Sequence, residues 1–282
     1  MSPAAANGLG PRSGAESQGG VPGAQMPTPN IPNLRDIGGY PTTDGRHVRL
    51  GLVYRSTALA RADDADLDVL AGLGLRTIFD LRTAAERSAS PDRSPQGVRE
   101  IDLDVLADEP EAAAAHIPEL TSDPAKASEV LASTDIPAIF DNIYRGLVTL
   151  PSAVDSYRRL FLALAEEGTL PALYHCTTGK DRTGWATAAL LTLLGVAEDV
   201  VVEDYLRSND YLMAGLQPML DAFAAGGGDA ELLKPVIGVK AEYLRSALEI
   251  MHGRYGTVEG YFADGLSVDA SAQQRLRELF LH

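Results

Sequence analysis

Cysteine is almost absent, since Cys176 is the single cysteine among 282 residues. A lone cysteine cannot form an internal disulfide, and it cannot build a zinc cluster of cysteine ligands. The chain also lacks any run of about 18 apolar residues that would span a membrane. Its first residues lack the basic segment and the apolar run, about 7–15 residues long, of a secretory signal. We therefore expect a soluble, cytoplasmic protein without membrane insertion.

Basic residues are also few, because 24 lysines and arginines stand against 39 aspartates and glutamates, a formal net charge of −15. Nucleic acids and anionic membranes attract basic surfaces, so this charge argues against both as main partners. The five histidines show neither the HExxH pattern nor another paired spacing typical of metal ligands. The sequence therefore predicts no metal site and no cofactor, and it indicates no particular oligomeric state.

The N-terminal residues 1–30 are mainly Gly, Pro, Ala and Ser, with almost no large apolar side chains. Such a segment cannot bury enough surface to offset its ordering entropy, so we expect a disordered tail followed by one domain over 31–282. Within that domain, residues 100–135 hold ten acidic side chains against Lys126 alone. Together with several prolines, this predicts a solvated surface insertion that contains one short helix.

Hydrophobic periodicity predicts an α/β protein. Short apolar runs at 75–81 and 170–176 are typical of buried strands, and 98–103 favours a strand over a helix. Apolar residues at helical spacing predict helices at 62–73, 139–148, 152–164, 183–195, 198–208, 211–225, 239–252 and 270–281. Helices that alternate with buried strands, followed by a helical C-terminal third, favour a central, mainly parallel sheet flanked by helices.

The stretch LYHCTTGKDRTGWA, residues 173–186, links one predicted strand to the next helix and contains the lone cysteine. At such a junction the backbone N–H groups point outward and the helix dipole favours negative charge, so the turn can hold an oxyanion. Gly179 and Gly184 permit the unusual backbone angles and the close approach that this requires. The amides and Arg182 would favour the thiolate form of Cys176, which is a nucleophile at neutral pH. The planar guanidinium of Arg182 matches two phosphate oxygens.

The motif CTTGKDRT fits the Cys-x5-Arg-Ser/Thr signature of cysteine-dependent phosphatases, and HCTTGKDRTG resembles the HCxxGKDRTG loop of bacterial tyrosine phosphatases that also accept phosphoinositides. The same family is similar to this chain in NLRDIGGY (33–40), VYRS (53–56), FDLRTAAE (79–86), DYLRSN (204–209) and GVKAEYL (238–244). The resemblance implies the cysteine-phosphatase fold and hydrolysis of phosphotyrosine, with phosphoserine, phosphothreonine or phosphoinositides as further substrates. A phosphorylated protein or a small phosphomonoester would then be the partner.

The resemblance also implies roles for residues of the loop. Cys176 would be the nucleophile of a phosphocysteine intermediate. The phosphate would be bound by Thr177, Thr178, Gly179, Lys180 and Arg182. The one tryptophan precedes an alanine, so the Trp-Pro-Asp loop that supplies the proton donor of eukaryotic tyrosine phosphatases is absent. Asp181 is therefore the first candidate for the general acid, and Asp80 and Asp104, near predicted strand ends, are the reserves.

Further residues are expected to support the loop. Thr183 would donate a hydrogen bond to the thiolate, and His175 would fix the strand end by hydrogen bonding. Ion pairs behind the loop are expected from Arg35, Asp36, Arg55 and Arg82. By the same resemblance, residues 209–237 would form a helical lid with the glycines at 226–228 as its hinge.

Four alternatives use the same residues. The same hydrolysis would act on a small metabolite or nucleotide phosphate, which the net acidity favours slightly over a polyanionic lipid surface. A non-catalytic module that only binds phosphate is disfavoured because Cys176 and Arg182 are both present. Thiol redox chemistry normally needs a second cysteine. Sulfur transfer suits this loop less well than phosphate does, since an arginine follows the cysteine by six residues.

Overall fold

The computed structural model describes residues 21–109 and 122–282. In these residues five strands form one sheet, and they are β1 (Arg35–Asp36), β2 (Val53–Ser56), β3 (Thr77–Asp80), β4 (Arg99–Asp102) and β5 (Ala172–His175). Their spatial order is β1-β2-β5-β3-β4. The β1–β2 pair is antiparallel and all other pairs are parallel, which confirms the predicted mainly parallel sheet. The last residue of the central strand, His175, lies between Ser56 and Asp80 of its neighbours.

Helices make up most of the remaining described chain. Before the central strand they are α1 (Asp64–Gly72), α2 (Ala84–Ala89), α3 (Pro124–Ala132), α4 (Ile136–Thr149) and α5 (Pro151–Leu164). After it they are α6 (Arg182–Leu193), α7 (Glu198–Ala225), α8 (Ala230–Ile237), α9 (Ala241–Tyr255), the single turn α10 (Val258–Gly260) and α11 (Ala270–Phe280). The expected helical C-terminal third is therefore present.

Both faces of β2, β3 and β5 are buried, whereas the edge strand β4 is mostly exposed. Phe79 and Tyr174 belong to a large apolar cluster that includes α6 and α9, whereas their neighbours Ile78 and Leu173 belong to a smaller cluster with α1. Successive strand residues point to opposite faces, so strands that are apolar at consecutive positions are covered on both sides. The helix α6 is buried around most of its circumference. This packing fixes the end of β5 and the start of α6, between which the cysteine loop runs.

The helix α7 is one helix of 28 residues where the sequence predicted two, at 198–208 and 211–225. The expected break contains Asn209 and Asp210, which are weak helix formers, but it contains neither glycine nor proline. Asn209 also binds both backbone groups of Val239, since its Nδ2 donates to the oxygen over 2.9 Å and its Oδ1 accepts from the nitrogen over 2.8 Å. This tertiary contact stabilises the helix where local preference predicted an interruption.

The segment before β1 packs against the domain. The backbone N–H of Met26 donates to the oxygen of Leu34 over 2.8 Å, and Thr28 is buried. Met26 also packs against the smaller apolar cluster. Because it offers an apolar side chain that most of the predicted tail lacks, the packed chain extends to the N-terminal side of the boundary predicted at Ile31. Residues 1–20 of that tail lie outside the described residues.

The acidic stretch 100–135 is described in part, because residues 110–121 lie outside the described ranges. After that gap, α3 packs with the end of α7 and with α8. These three helices share an apolar cluster, which we name the outer cluster and which consists of Ala127, Leu131, Leu220, Phe223, Leu233 and Ile237. Within the ranges that the structure describes, no helix has both the length and the apolar character needed to traverse a bilayer.

Candidate active site

The cysteine loop, residues 176–181, starts where the central strand ends and finishes at the first turn of α6. Gly179 has a φ of +64°. A side chain at this position would place its Cβ 2.2 Å from the backbone oxygen of Ser56. Only glycine meets both demands, because it has no Cβ and tolerates the left-handed conformation. The backbone that follows β2 is therefore in direct contact with the loop.

The loop brings the predicted nucleophile and phosphate clamp together in a buried setting. Cys176 and Arg182 are buried, whereas Thr177 is exposed and Thr178 is half-buried. Thr183 is buried as well, but its hydroxyl has no hydrogen-bond partner among the described residues. The hydrogen bond that we expected from Thr183 to the sulfur of Cys176 is therefore not formed in this structure.

Glu86, on α2, holds the guanidinium of Arg182. Two parallel hydrogen bonds join them, from Nη1 to Oε2 over 2.6 Å and from Nη2 to Oε1 over 2.7 Å. Burial alone would raise the pKa of Glu86, but the hydrogen bonds and charge of Arg182 outweigh burial and lower this pKa to about 2. Burial would lower the pKa of Arg182, yet the carboxylate keeps it above its usual value. The two side chains therefore form an ionised pair of fixed geometry.

The position of Glu86 is set by the start of α2. The N–H of Thr83 donates to Oε2 of Glu86 over 2.8 Å, and the N–H of Glu86 donates to the Thr83 hydroxyl over 3.2 Å, which is a reciprocal capping box. The hydroxyl of Thr177 also donates to Oε1 of Glu86. Glu86 was not among the site residues predicted from the sequence. The Thr-x-x-Glu spacing within FDLRTAAE is a signal for the capping box, but Arg182 lies 96 positions away.

Asp181 directly precedes α6, yet its side chain makes no capping hydrogen bond to that helix. Its Oδ1 instead accepts a hydrogen bond from the hydroxyl of Tyr144 over 2.9 Å. Its Oδ2 lies 3.6 Å from the ammonium of Lys180. An aspartate at this position usually accepts an amide hydrogen of the first turn. Here the carboxylate does not cap the helix, and its two oxygens face Tyr144 and Lys180 instead.

The side chain of Lys180 reaches α8 and the residue that follows it. Its Nζ donates to the backbone oxygens of Val236 and Gly238 over 2.7 and 2.8 Å. It also lies 5.3 Å from the ring centroid of Phe140. Lys180 was predicted to bind phosphate, whereas in this structure its charge binds the carboxyl end of a helix, where the helix dipole favours a cation.

A buried polar network supports the loop from behind. The backbone oxygen of Gly179 accepts from Nη2 of Arg55 over 2.8 Å and from Nδ2 of Asn33 over 3.0 Å. Arg35 and Arg55 each form an ion pair with Asp204 at 3.1 Å. Burial would raise the pKa of Asp204, but the two guanidinium groups outweigh it and lower this pKa to about 2. Two of the arginines that were expected to form ion pairs behind the loop thus share one carboxylate.

Two other carboxylates from the predicted site bind different segments. Asp36 accepts the N–H of Gly38 over 2.7 Å and that of Gly51 over 2.6 Å, so it joins two turns near β1 rather than pairing with an arginine. Burial raises the pKa of Asp36. Asp104 accepts the N–H of Ala84 over 3.0 Å and thereby stabilises the start of α2, the helix that carries the partner of the loop arginine.

His175, the last residue of β5, is buried beside two carboxylates. Its Nε2 lies 3.2 Å from Oδ2 of Asp92, and its Nδ1 lies 3.3 Å from the backbone oxygen of Cys176. Arg82 forms ion pairs with Asp80 at 2.7 Å and with Asp92 at 2.6 Å. Ligand atoms of Asp80, Asp92 and His175 lie within 4.8 Å of one another, as in a metal site. Because Arg82 already binds both carboxylates, we assign no metal here and regard Asp80 as part of this ion-pair group.

The segment expected to form a lid, residues 209–237, comprises the second half of α7, a turn and α8. The turn contains Gly227, whose φ is +87°, and Gly228, where a Cβ would lie 2.3 Å from the ring of Phe223. Through Val236 the segment contacts Lys180 of the cysteine loop. It therefore lies beside the loop, and its motion as a lid stays a prediction.

Comparison with known proteins adds to this geometry. A sequence profile described as the tyrosine phosphatase family matches residues 26–282. The triple specificity protein phosphatase PtpB of Mycobacterium tuberculosis is 32% identical over 277 residues, which cover 90% of this chain and 98% of that protein. A protein of Cupriavidus necator that is named as a candidate tyrosine-protein phosphatase is 33% identical over 255 residues, covering 86% of this chain and 84% of that protein. A tyrosine-protein phosphatase of Nostoc commune is 29% identical over 241 residues, 79% of this chain and 72% of that protein.

Proposed function

Because the chain belongs to the tyrosine phosphatase family, we propose that it hydrolyses phosphotyrosine in proteins through a phosphocysteine formed on Cys176. It is a phosphoric monoester hydrolase of the protein-tyrosine-phosphatase type. The observation that carries the proposal is the bidentate pair between Arg182 and Glu86, since it holds a phosphate-binding fork at the end of the loop that begins with the cysteine. In the proposed reaction no metal or cofactor takes part.

The proposed reaction has two steps. The thiolate of Cys176 attacks phosphorus, the bond to the leaving-group oxygen breaks, and Asp181 gives that oxygen a proton. Water then attacks the phosphocysteine, Asp181 takes a proton from it, and the thiolate leaves. Arg182 and the loop amides stabilise the equatorial oxygens in both transition states. Each group is supplied by the same eight-residue stretch of chain, 175–182.

The depth of the site bears on the substrate. Cys176 is 1% exposed, so a phosphate must extend well beyond the peptide backbone to reach its sulfur. A phosphotyrosine side chain is longer than phosphoserine or phosphothreonine, and we therefore propose phosphotyrosine as the preferred group. The relative from M. tuberculosis carries the words triple specificity in its name, and we extend the proposal to phosphoserine, phosphothreonine and phosphoinositides as weaker substrates.

A substrate panel tests the proposal. Steady-state kcat/KM would be measured on phosphotyrosine, phosphoserine and phosphothreonine peptides, short-chain phosphoinositides and mononucleotides, each with and without EDTA. We expect the highest value for phosphotyrosine, no effect of EDTA, and no turnover by Cys176→Ser. A higher kcat/KM for a mononucleotide would favour the small-molecule alternative. Loss of activity in EDTA, or turnover by Cys176→Ser, would contradict the mechanism itself.

The role of Asp181 is tested with Asp181→Asn. A general acid matters most when the leaving group is a poor one, because a good leaving group departs without a proton. We expect kcat/KM to fall on the order of 100-fold for phenyl phosphate and much less for p-nitrophenyl phosphate. Equal losses on both substrates would move the proton donor to another residue.

A further inference from the structure

The carboxylate of Asp181 is restrained by a side chain from a distant helix. Tyr144, in the middle of α4, donates its hydroxyl hydrogen to Oδ1 over 2.9 Å. The Tyr144 oxygen lies 2.6 Å from the hydroxyl of Tyr205 on α7. No function was predicted for Tyr144 from the sequence, and Tyr205 was noted only as part of the DYLRSN segment.

The hydroxyls of Tyr205 and Tyr144 and the carboxylate of Asp181 form a hydrogen-bond chain in which each hydrogen points towards Asp181. A carboxylate oxygen that faces a hydroxyl can only accept, so the single hydrogen of Tyr144 points to Oδ1 of Asp181. The oxygen of Tyr144 is then the acceptor for the hydrogen of Tyr205. This order holds whether Asp181 is ionised or carries a proton on Oδ2, since Oδ1 accepts in both states.

Both hydroxyls keep their hydrogens at neutral pH. Burial raises the pKa of Tyr144 well above 10, and the charge of Asp181 raises it further. Burial, followed by the same charge, also raises the pKa of Tyr205 well above 10. The two tyrosines are therefore constant hydrogen-bond donors and do not act as proton sources.

Tyr144 is also rigidly held. Its side chain is fully buried. Its ring packs edge-on against that of Tyr205, with centroids 6.2 Å apart and planes at 85°, and against the ring of Tyr243 at 6.2 Å. A hydroxyl on such a ring has little freedom to move. The carboxylate that it binds lacks a capping bond to α6. Tyr144 is the hydrogen-bond donor to Oδ1, and the ammonium of Lys180 lies 3.6 Å from Oδ2.

We propose that Tyr144, supported by Tyr205, is a positioning residue that keeps Oδ1 of Asp181 as an acceptor and assigns the transferred proton to Oδ2. In the first step the S–P bond forms, the bond between phosphorus and the leaving oxygen breaks, and the proton of Oδ2 passes to that oxygen. In the second step the water oxygen bonds to phosphorus, the S–P bond breaks, and the water proton returns to Oδ2. This inference rests on the proposed function, in which Asp181 is the general acid.

The test is Tyr144→Phe, which removes the hydroxyl and keeps the ring. We expect kcat/KM to fall roughly tenfold for phenyl phosphate, part of the 10²–10⁴ that a positioned acid supplies, and less than about threefold for p-nitrophenyl phosphate. The matched control is Tyr261→Phe, which removes a buried hydroxyl that accepts from Trp185 over 3.1 Å. The control should lose similar stability but should leave the ratio of the two substrates unchanged.

Double variants separate this inference from the proposed function. In an Asp181→Asn background, Tyr144→Phe should cause no additional change in the ratio of kcat/KM on the two substrates. If Asp181→Asn changes that ratio and Tyr144→Phe alone does not, the inference is wrong and the proposed function stands. If Asp181→Asn leaves the ratio unchanged, the proposed general acid is wrong.

A second variant covers the case in which Tyr144→Phe does not fold. Tyr205→Phe removes the hydrogen that Tyr144 accepts and leaves the bond to Asp181 in place. We expect a smaller change in the same direction, a loss of about threefold on phenyl phosphate with little loss on p-nitrophenyl phosphate. An unchanged ratio in a folded Tyr205→Phe protein would overturn the inference.

Discussion

Replacing Glu86 with glutamine tests how the guanidinium of Arg182 is held. The variant keeps the shape of the side chain but removes the negative charge of the carboxylate, whose oxygens accept two hydrogen bonds of 2.6 and 2.7 Å from Arg182. It also replaces one acceptor oxygen with an amide nitrogen, which cannot accept from Arg182, Thr83 or Thr177. The change therefore affects the stability of the fold and the preorganisation of the loop, and the two effects can be measured separately.

The stability effect follows from the pKa of Glu86. A pKa lowered from 4.5 to about 2 corresponds to about 3 kcal/mol in favour of the ionised form. Solvent screening of this partly exposed carboxylate reduces that figure to about 1–2 kcal/mol. A carboxyl group with a lowered folded-state pKa stabilises the fold fully above pH 4.5, and this contribution is lost as the pH falls towards about 2.

Urea unfolding at pH 7 and pH 3.5 provides the assay. Glu86→Gln should be about 1–2 kcal/mol less stable than the wild type at pH 7, and about half of this difference should disappear at pH 3.5. Glu249→Gln, which removes an exposed charge on α9, should show no such difference. We also expect kcat/KM of Glu86→Gln to fall about tenfold or more, because a displaced fork no longer matches the phosphate. Equal stability at pH 7, or a deficit that is the same at both pH values, would refute this reasoning.

The remaining predictions concern three other parts of the site. Gly179→Ala should destabilise the protein by about 2–4 kcal/mol more than Gly74→Ala in urea unfolding, because both glycines have positive φ but only the first would clash with backbone. Equal losses of stability would show that the backbone of Ser56 moves aside at little cost. Asp204→Asn should cost about 3–5 kcal/mol by the same measurement, since it leaves two buried arginines without their shared carboxylate. A loss below about 1 kcal/mol would contradict that pairing. Vanadate should inhibit the enzyme and raise its Tm, and Arg182→Lys should lose most of the rise in a thermal scan because an ammonium lacks the planar fork. An unchanged rise would remove Arg182 from the phosphate site.

The features that the sequence predicts well are those written in contiguous residues. The loop 176–181 is one unbroken motif, so its glycine, its cysteine and the following arginine could be assigned to a strand-to-helix turn. Buried strands such as β3 and β5 are apolar at consecutive positions, which predicted the parallel sheet. The short strands β1 and β2 were not predicted, because Arg35, Asp36 and Arg55 give them a polar pattern.

The features that the sequence could not predict depend on partners far away in the chain. Glu86 and Tyr144 lie 96 and 37 positions before the loop residues that they bind. Lys180 was assigned to phosphate binding from its place in the motif, but its ammonium binds the backbone oxygens of Val236 and Gly238 at the end of α8. Asn209 interrupts the helical pattern locally and yet stabilises α7 through Val239. In each case tertiary contact outweighs the local preference.

The length of α7 constrains how the outer cluster moves. Asp204 and Tyr205 lie near the beginning of the helix, beneath the cysteine loop, and Leu220 and Phe223 lie near its end in the outer cluster. Twenty-eight residues span about 42 Å, so this one helix connects the region beneath the cysteine loop to the outer cluster. A hinge at the glycine turn alone cannot move the whole outer cluster, because two of its six residues, Leu220 and Phe223, lie on α7 before that turn. Flexing is easiest near Pro218, which lacks the amide hydrogen that stiffens the rest of the helix.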